Sequence, residues 1–189
     1  MTVKRRLLAA AAIAASLLTF VVAPQASAAE SPIPGIELTL YTGPAADPAH
    51  PAYHLVSGWT GGCLNPRDDI WHNGAPMWLG PCGNTAVEAF YVTRNPEGYY
   101  RFQNIVTKRY LEAATATGGA NGTAVQLWDF VAGGQNQWWA ATVNPEGYLR
   151  LQNAKYGRYL EASRVPTGSS GNRGQLWDFV AGGTNQWWH

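Results

Sequence analysis

The sequence predicts an all-β protein: a closed barrel of about twelve short strands in three pseudo-symmetric repeats, with hairpins capping one end. Three observations carry this expectation. "QLWDFVAGGQNQWW" at 126–139 returns as "QLWDFVAGGTNQWW" at 175–188, identical at thirteen of fourteen positions. Aligned without a gap, 102–139 and 151–188 share 22 of 38 residues, and a worn third copy lies upstream. The repeated pieces are short aromatic or β-branched runs bounded by Gly, Asn and Thr, with no long helical period among them. Closing such units on one another leaves no sheet edge exposed.

The chain opens on a different pattern. Lys4, Arg5 and Arg6 precede an apolar run from Leu7 to Val22, and Ala26-Ser27-Ala28 offers a small-residue cleavage site. This predicts a secretory signal peptide over 1–28, because the run is short for a membrane span. The protein is therefore expected to be secreted, without a membrane anchor. Cleavage would take three of the thirteen basic residues and leave ten against twelve acidic ones, a formal charge of −2. Neither nucleic acid nor anionic lipid is implied as a partner by such a balance. Cys63 and Cys82 are an even pair in a chain bound for an oxidising compartment, so one structural disulfide is expected.

Residues 29–52 read as a proline-rich extension around "IELTLYT", where Ile36 to Thr42 is a candidate strand pairing near the C-terminal strand to help close the barrel. The repeats follow at about 53–100, 101–149 and 150–189. "RYLEA", "VQLWDF" and "QWWAATV" are strands by composition and punctuation. "NPEG", at 95 and again at 144, has Asn first, Pro second and Gly fourth, the chemistry of a type I turn joining one unit to the next. Alternation sends Leu111, Leu127, Leu160 and Leu176 to the core. In the worn copy "GGCLN" at 61–65 stands where the others have "KRYLE" and "GRYLE", and "WLGPC" at 78–82 replaces "QLWDF".

Q-x-W, here Gln137-Trp138-Trp139 and Gln186-Trp187-Trp188, preceded each time by "YLE" and "QLW", resembles the ricin-type β-trefoil family of lectins. The resemblance covers roughly 53–189, with two good repeats and one degenerate one. It implies a β-trefoil, a core role for Trp139 and Trp188, and a disulfide between strands two and three of a repeat, where Cys63 and Cys82 fall. The equivalent pairs, Tyr110 with Phe130 and Tyr159 with Phe179, are expected to make aromatic contacts instead. It also implies carbohydrate binding, by a carboxylate and amides that bond hydroxyls and a ring that stacks on the apolar sugar face.

Carried over by position, the second-repeat site is Glu112, Gln126, Trp128, Asn136 and Gln137. The third-repeat site is Glu161, Gln175, Trp177, Asn185 and Gln186. Gln137 and Gln186 suit scaffold and site equally, and Asp129 and Asp178 suit a turn as well as a platform edge. The first repeat offers Asn65, Trp78, Gly80, Val87 and Glu88, which lack the carboxylate, the platform and the amide pair. Both good repeats carry Glu where the family usually has Asp, so the family's usual galactose does not transfer.

An enzyme is not expected. The sequence holds no G-x-S-x-G, H-E-x-x-H or phosphate loop, and Glu112 and Glu161 belong to different repeats instead of flanking one bond. His50, His54, His72 and His189 form no ligand set, so neither metal nor cofactor is expected. The expected partner is an extracellular or cell-surface glycan or polysaccharide, bound by a monomer. The competing reading is a protein-binding trefoil, such as a protease inhibitor, with vestigial sugar sites.

Overall fold

The computed structural model describes residues 30–66, 71–166 and 171–189. The signal peptide expected over 1–28 lies outside them. Eleven strands are described: β1 (Tyr53–His54), β2 (Cys63–Pro66), β3 (Ala75–Gly80), β4 (Ala89–Arg94), β5 (Tyr100–Asn104), β6 (Tyr110–Ala113), β7 (Val125–Trp128), β8 (Trp139–Val143), β9 (Leu149–Asn153), β10 (Tyr159–Ala162) and β11 (Gly174–Trp177). No α-helix occurs among the described residues; single 3-10 turns stand at Ala86–Glu88, Gln135–Gln137 and Thr184–Gln186.

The strands sort into two sets. β1, β4, β5, β8 and β9 pair in that order, all antiparallel. Trp188 then bridges Leu149, and His189 exchanges both backbone bonds with Val56, just after β1, at 2.8 and 3.0 Å. That exchange closes the barrel. The second set is three hairpins, β2–β3, β6–β7 and β10–β11, which meet through pairs such as Pro76–Gln126 and Ala124–Gln175. A closed barrel with a three-hairpin cap is a β-trefoil.

Register follows the side-chain alternation of a strand. Leu111 faces Leu127 and Leu160 faces Leu176, all fully buried, while the next pair in each hairpin, Glu112–Gln126 and Glu161–Gln175, turns to the opposite face. The barrel core holds one large ring at each equivalent place: Phe90, Trp139 and Trp188, each with no exposed surface. The "NPEG" turns behave as their chemistry requires. Asn95 accepts from the Gly98 N–H through its carbonyl and from the Tyr99 N–H through its side chain; Asn144 does the same for Gly147 and Tyr148. Gly98 and Gly147 sit at φ of 92° and 84°, which a side chain would resist.

The extension is packed against the barrel. Ile33, Ile36 and Leu38 are buried in the main core, and Leu40 bridges Tyr53. The partner of this segment is β1, through Tyr41 N–H to the Ala52 carbonyl and His54 N–H to the Thr39 carbonyl, each 2.8 Å. The segment expected to pair near the C-terminal residues thus pairs with β1, whose continuation at Val56 meets His189.

Cys63 and Cys82 form the disulfide. At its places in the other repeats, Tyr110 meets Phe130 at 5.8 Å and Tyr159 meets Phe179 at 5.5 Å between ring centres. Each pair is covered by an arginine, with the Arg101 guanidinium 4.6 Å over Phe130 and that of Arg150 4.8 Å over Phe179. The disulfide closes a 19-residue separation, and its removal by Cys63→Ala/Cys82→Ala is expected to cost about 3 kcal/mol in denaturant unfolding. A variant as stable as the parent would show that packing alone holds the first hairpin.

Candidate functional site

Each good hairpin presents a carboxylate on its outer face, and a 3-10 turn brings amides to meet it. Opposite Glu112, Gln126 donates to Oε1 at 2.9 Å. From the turn at Gln135–Gln137, Asn136 donates to Oε2 at 3.0 Å and Gln137 at 3.1 Å. The third repeat repeats the plan: Glu161 accepts from Gln175 at 2.8 Å and from Gln186 at 3.2 Å, while Asn185 donates to the Ala162 carbonyl at 3.1 Å.

These acids are not solvated strand ends. Glu112 is 3% exposed and Glu161 5%, yet both line cavities, of about 420 Å³ in the second repeat and about 820 Å³ in the third. A carboxylate has about four acceptor positions. Three bonds to Glu112 and two to Glu161 therefore leave each able to take a further donor from the cavity. Burial pushes the Glu112 carboxyl above the usual carboxylate range, opposed by the bonds from Gln126, Gln137 and Asn136 and by the Lys155 charge.

Trp128 and Trp177 stand at the cavity walls, each 36% exposed, as stacking platforms require. Gln126, Asn136, Gln175 and Asn185 also line the cavities. Gln137 and Gln186 do not: both have no exposed surface, donate to the carbonyls of Asp129 and Asp178, and accept the N–H of Val131 and Val180. Each thus ties the hairpin end, the loop beyond it and the carboxylate together.

Asp129 and Asp178 prove to be clamps between repeats. Asn73, from the first repeat, donates to Asp129 at 2.9 Å and accepts from its backbone N–H and from Arg109. Asn121 serves Asp178 and Arg158 in the same way. The clamps escaped sequence reasoning although a signal existed, since Asn-Gly precedes strand three in both repeats. Asn153 was also missed: it donates to the Asn136 carbonyl at 2.9 Å and so holds the turn of the preceding repeat's site.

In the first repeat Asn65 faces Trp78, the register of Glu112 with Gln126, so the degenerate copy is aligned as expected. Glu88 stands where the others have Gln. Its carboxylate accepts from the N–H groups of Gly83 and Thr85, which anchors the loop but offers no donor to a neighbouring acid. His54, Cys63 and Glu88 bring ligand-type atoms within 4.8 Å of one another, but the Cys63 sulfur is held in the disulfide. A further cavity of about 1020 Å³, between the N-terminal segment and His189, contains none of the candidate site residues.

Fold and repeated site define a β-trefoil with a lectin-like arrangement. Residues 41–128 match the family model described as ricin-type beta-trefoil lectin domain-like. The match spans the degenerate repeat and most of the second; the third lies beyond it. No curated protein matches the sequence. Among solved structures, a designed threefold-symmetric protein, ThreeFoil, is 22% identical, with a TM-score of 0.66 over 73% of this chain and 96% of that one. An exo-β-1,3-galactanase from Clostridium thermocellum is 25% identical, with a TM-score of 0.64 over 72% of this chain and 29% of that one. A Polyporus squamosus lectin, bound to an epitope of sialic acid, galactose and N-acetylglucosamine, is 14% identical, with a TM-score of 0.61 over 73% and 47%. The chain thus spans under half of the lectin and under a third of the galactanase. The match to the lectin-like family model supports carbohydrate binding in general.

Proposed function

We propose that this protein is a secreted carbohydrate-binding module with two sugar sites, one in the second repeat and one in the third. The observation that carries the reading is the recurrence, in two cavities, of a buried carboxylate held by amides beside an exposed tryptophan. Such an array exceeds what packing alone needs, because buried charge is costly unless it is used or fully bonded. Glu112 with Asn136, and Glu161 with Asn185, bond sugar hydroxyls; Trp128 and Trp177 stack on the ring face; Gln137 and Gln186 orient the acids. Two sites on one body favour a polymeric glycan, where the second contact gains from the first.

The test is a glycan array with the protein from Ala29 onward, followed by Trp128→Ala and Trp177→Ala singly and together. Each single change is expected to weaken binding by about fivefold to a hundredfold, from about 1–3 kcal/mol of lost stacking and burial. The double change is expected to abolish it. Folded protein that binds no saccharide would overturn the proposal.

A further inference from the structure

The two cavities share their floors and differ at their rims. In the gap-free alignment Thr115 of the second repeat becomes Arg164 of the third, and Ala124 becomes Arg173. Both arginines line the third-repeat cavity, which has about twice the volume of the other. Arg164 donates through Nη2 to Oδ1 of Asn185, at 3.3 Å, and its guanidinium lies 5.6 Å over the Trp59 ring. Arg173 donates through Nη2 to the Gly122 carbonyl at 3.2 Å. Among the described residues neither forms an ion pair.

The charges differ accordingly. The acid lining the third-repeat cavity is Glu161, already bonded to two amides, against two permanent guanidinium charges. In the second repeat Glu112 is balanced by the single ammonium of Lys155. A guanidinium has five donors in a fixed fork suited to a carboxylate or sulfate, and stacking on Trp59 and bonding to Asn185 hold Arg164 at the rim in advance.

We propose that the third-repeat site takes an anionic saccharide, its ring on Trp177 and its acidic group on Arg164 and Arg173, while the second-repeat site takes an uncharged one. This rests on the carbohydrate-binding reading and assigns the ligand class within it. The shared chemistry is a sugar bearing a negative oxygen cluster, from a uronate or from a sulfate ester.

The experiment uses matched oligosaccharide pairs, galacturonate against galactose, glucuronate against glucose, and sulfated against unsulfated galactose, titrated into the Trp128→Ala protein so that the third-repeat site reports alone. The acidic member of a pair is expected to bind at least tenfold tighter, with the preference shrinking as salt is raised. Arg164→Ala and Arg173→Ala should each remove most of that preference while uncharged sugar still binds, with thermal melting confirming the fold. Thr115→Arg/Ala124→Arg, read in the Trp177→Ala protein, should carry the preference into the second repeat. Preference for the uronates or for the sulfated sugar identifies the source. Equal binding of acidic and uncharged sugars, unchanged by the arginine substitutions, would overturn the proposal and leave the lectin reading standing. No binding of any saccharide would overturn both.

Discussion

Trp139→Ala is expected to destabilise the domain by about 3–5 kcal/mol, the usual cost of emptying a buried aromatic site. That is a large share of the roughly 5–15 kcal/mol that holds a domain folded. The ring has no exposed surface and sits in the main core with Phe102, Leu149 and Leu151. It also donates its indole N–H to the Leu111 carbonyl at 3.1 Å, as Trp188 does to Leu160 at 3.2 Å. Alanine therefore removes packing and leaves a buried carbonyl without its donor. Trp139→Phe should cost much less, because the first repeat carries Phe90 at the same place with equal burial. Urea unfolding of the three proteins checks this. An alanine variant within about 1 kcal/mol of the parent would show that the core collapses onto the space, contrary to its close packing.

Glu112→Gln is expected to weaken second-repeat sugar binding by at least tenfold, measured in the Trp177→Ala protein, with little change in melting temperature. The carboxylate gathers three amide donors, and charge-assisted bonds are about twice as strong as neutral ones. Glutamine is nearly the same size but turns one acceptor oxygen into a donor, which faces other donors. The stability loss is offset, because the substitution also removes a buried charge. The pH dependence follows from the raised folded-state pKa of Glu112. The folded protein holds this proton more tightly than the unfolded chain, so the group favours folding most at acid pH. That contribution declines as pH rises from the ordinary carboxylate range through the folded value. Binding runs the opposite way, since a protonated carboxyl cannot accept all three donors. Acidification is thus expected to release sugar while the fold persists, and Glu112→Gln should flatten that acid limb. Binding that survives the substitution unchanged would remove Glu112 from the site.

Much of the fold was legible because it is written twice. The copies at 102–139 and 151–188 align without a gap, so strands and turns could be read from composition and spacing, while the Glu–Gln pairing came from the family resemblance. The first repeat required gaps, yet Cys63 and Cys82, Asn65 and Trp78 fall where the alignment puts them. The extension was read as a strand near the C-terminal residues, and it pairs with β1, whose continuation at Val56 meets His189. Its choice between β1 and the C-terminal residues depends on which backbone groups remain open after closure, and no local pattern records that.

The sequence by itself carried the threefold repetition, the short strands and turns and the cysteine pair, which follow from periodicity and side-chain chemistry and are local; its resemblance to the ricin-type family supplied the buried Q-x-W rings and the candidate Glu, Gln, Trp and Asn positions. The tertiary structure alone decided how those residues divide their work. Only in three dimensions do Gln137 and Gln186 withdraw behind the carboxylates, Asn73 and Asn121 reach 56 and 57 residues along the chain to clamp Asp129 and Asp178, and His189 meet Val56. Those contacts join groups distant in sequence, and each depends on the closed barrel having already brought them together.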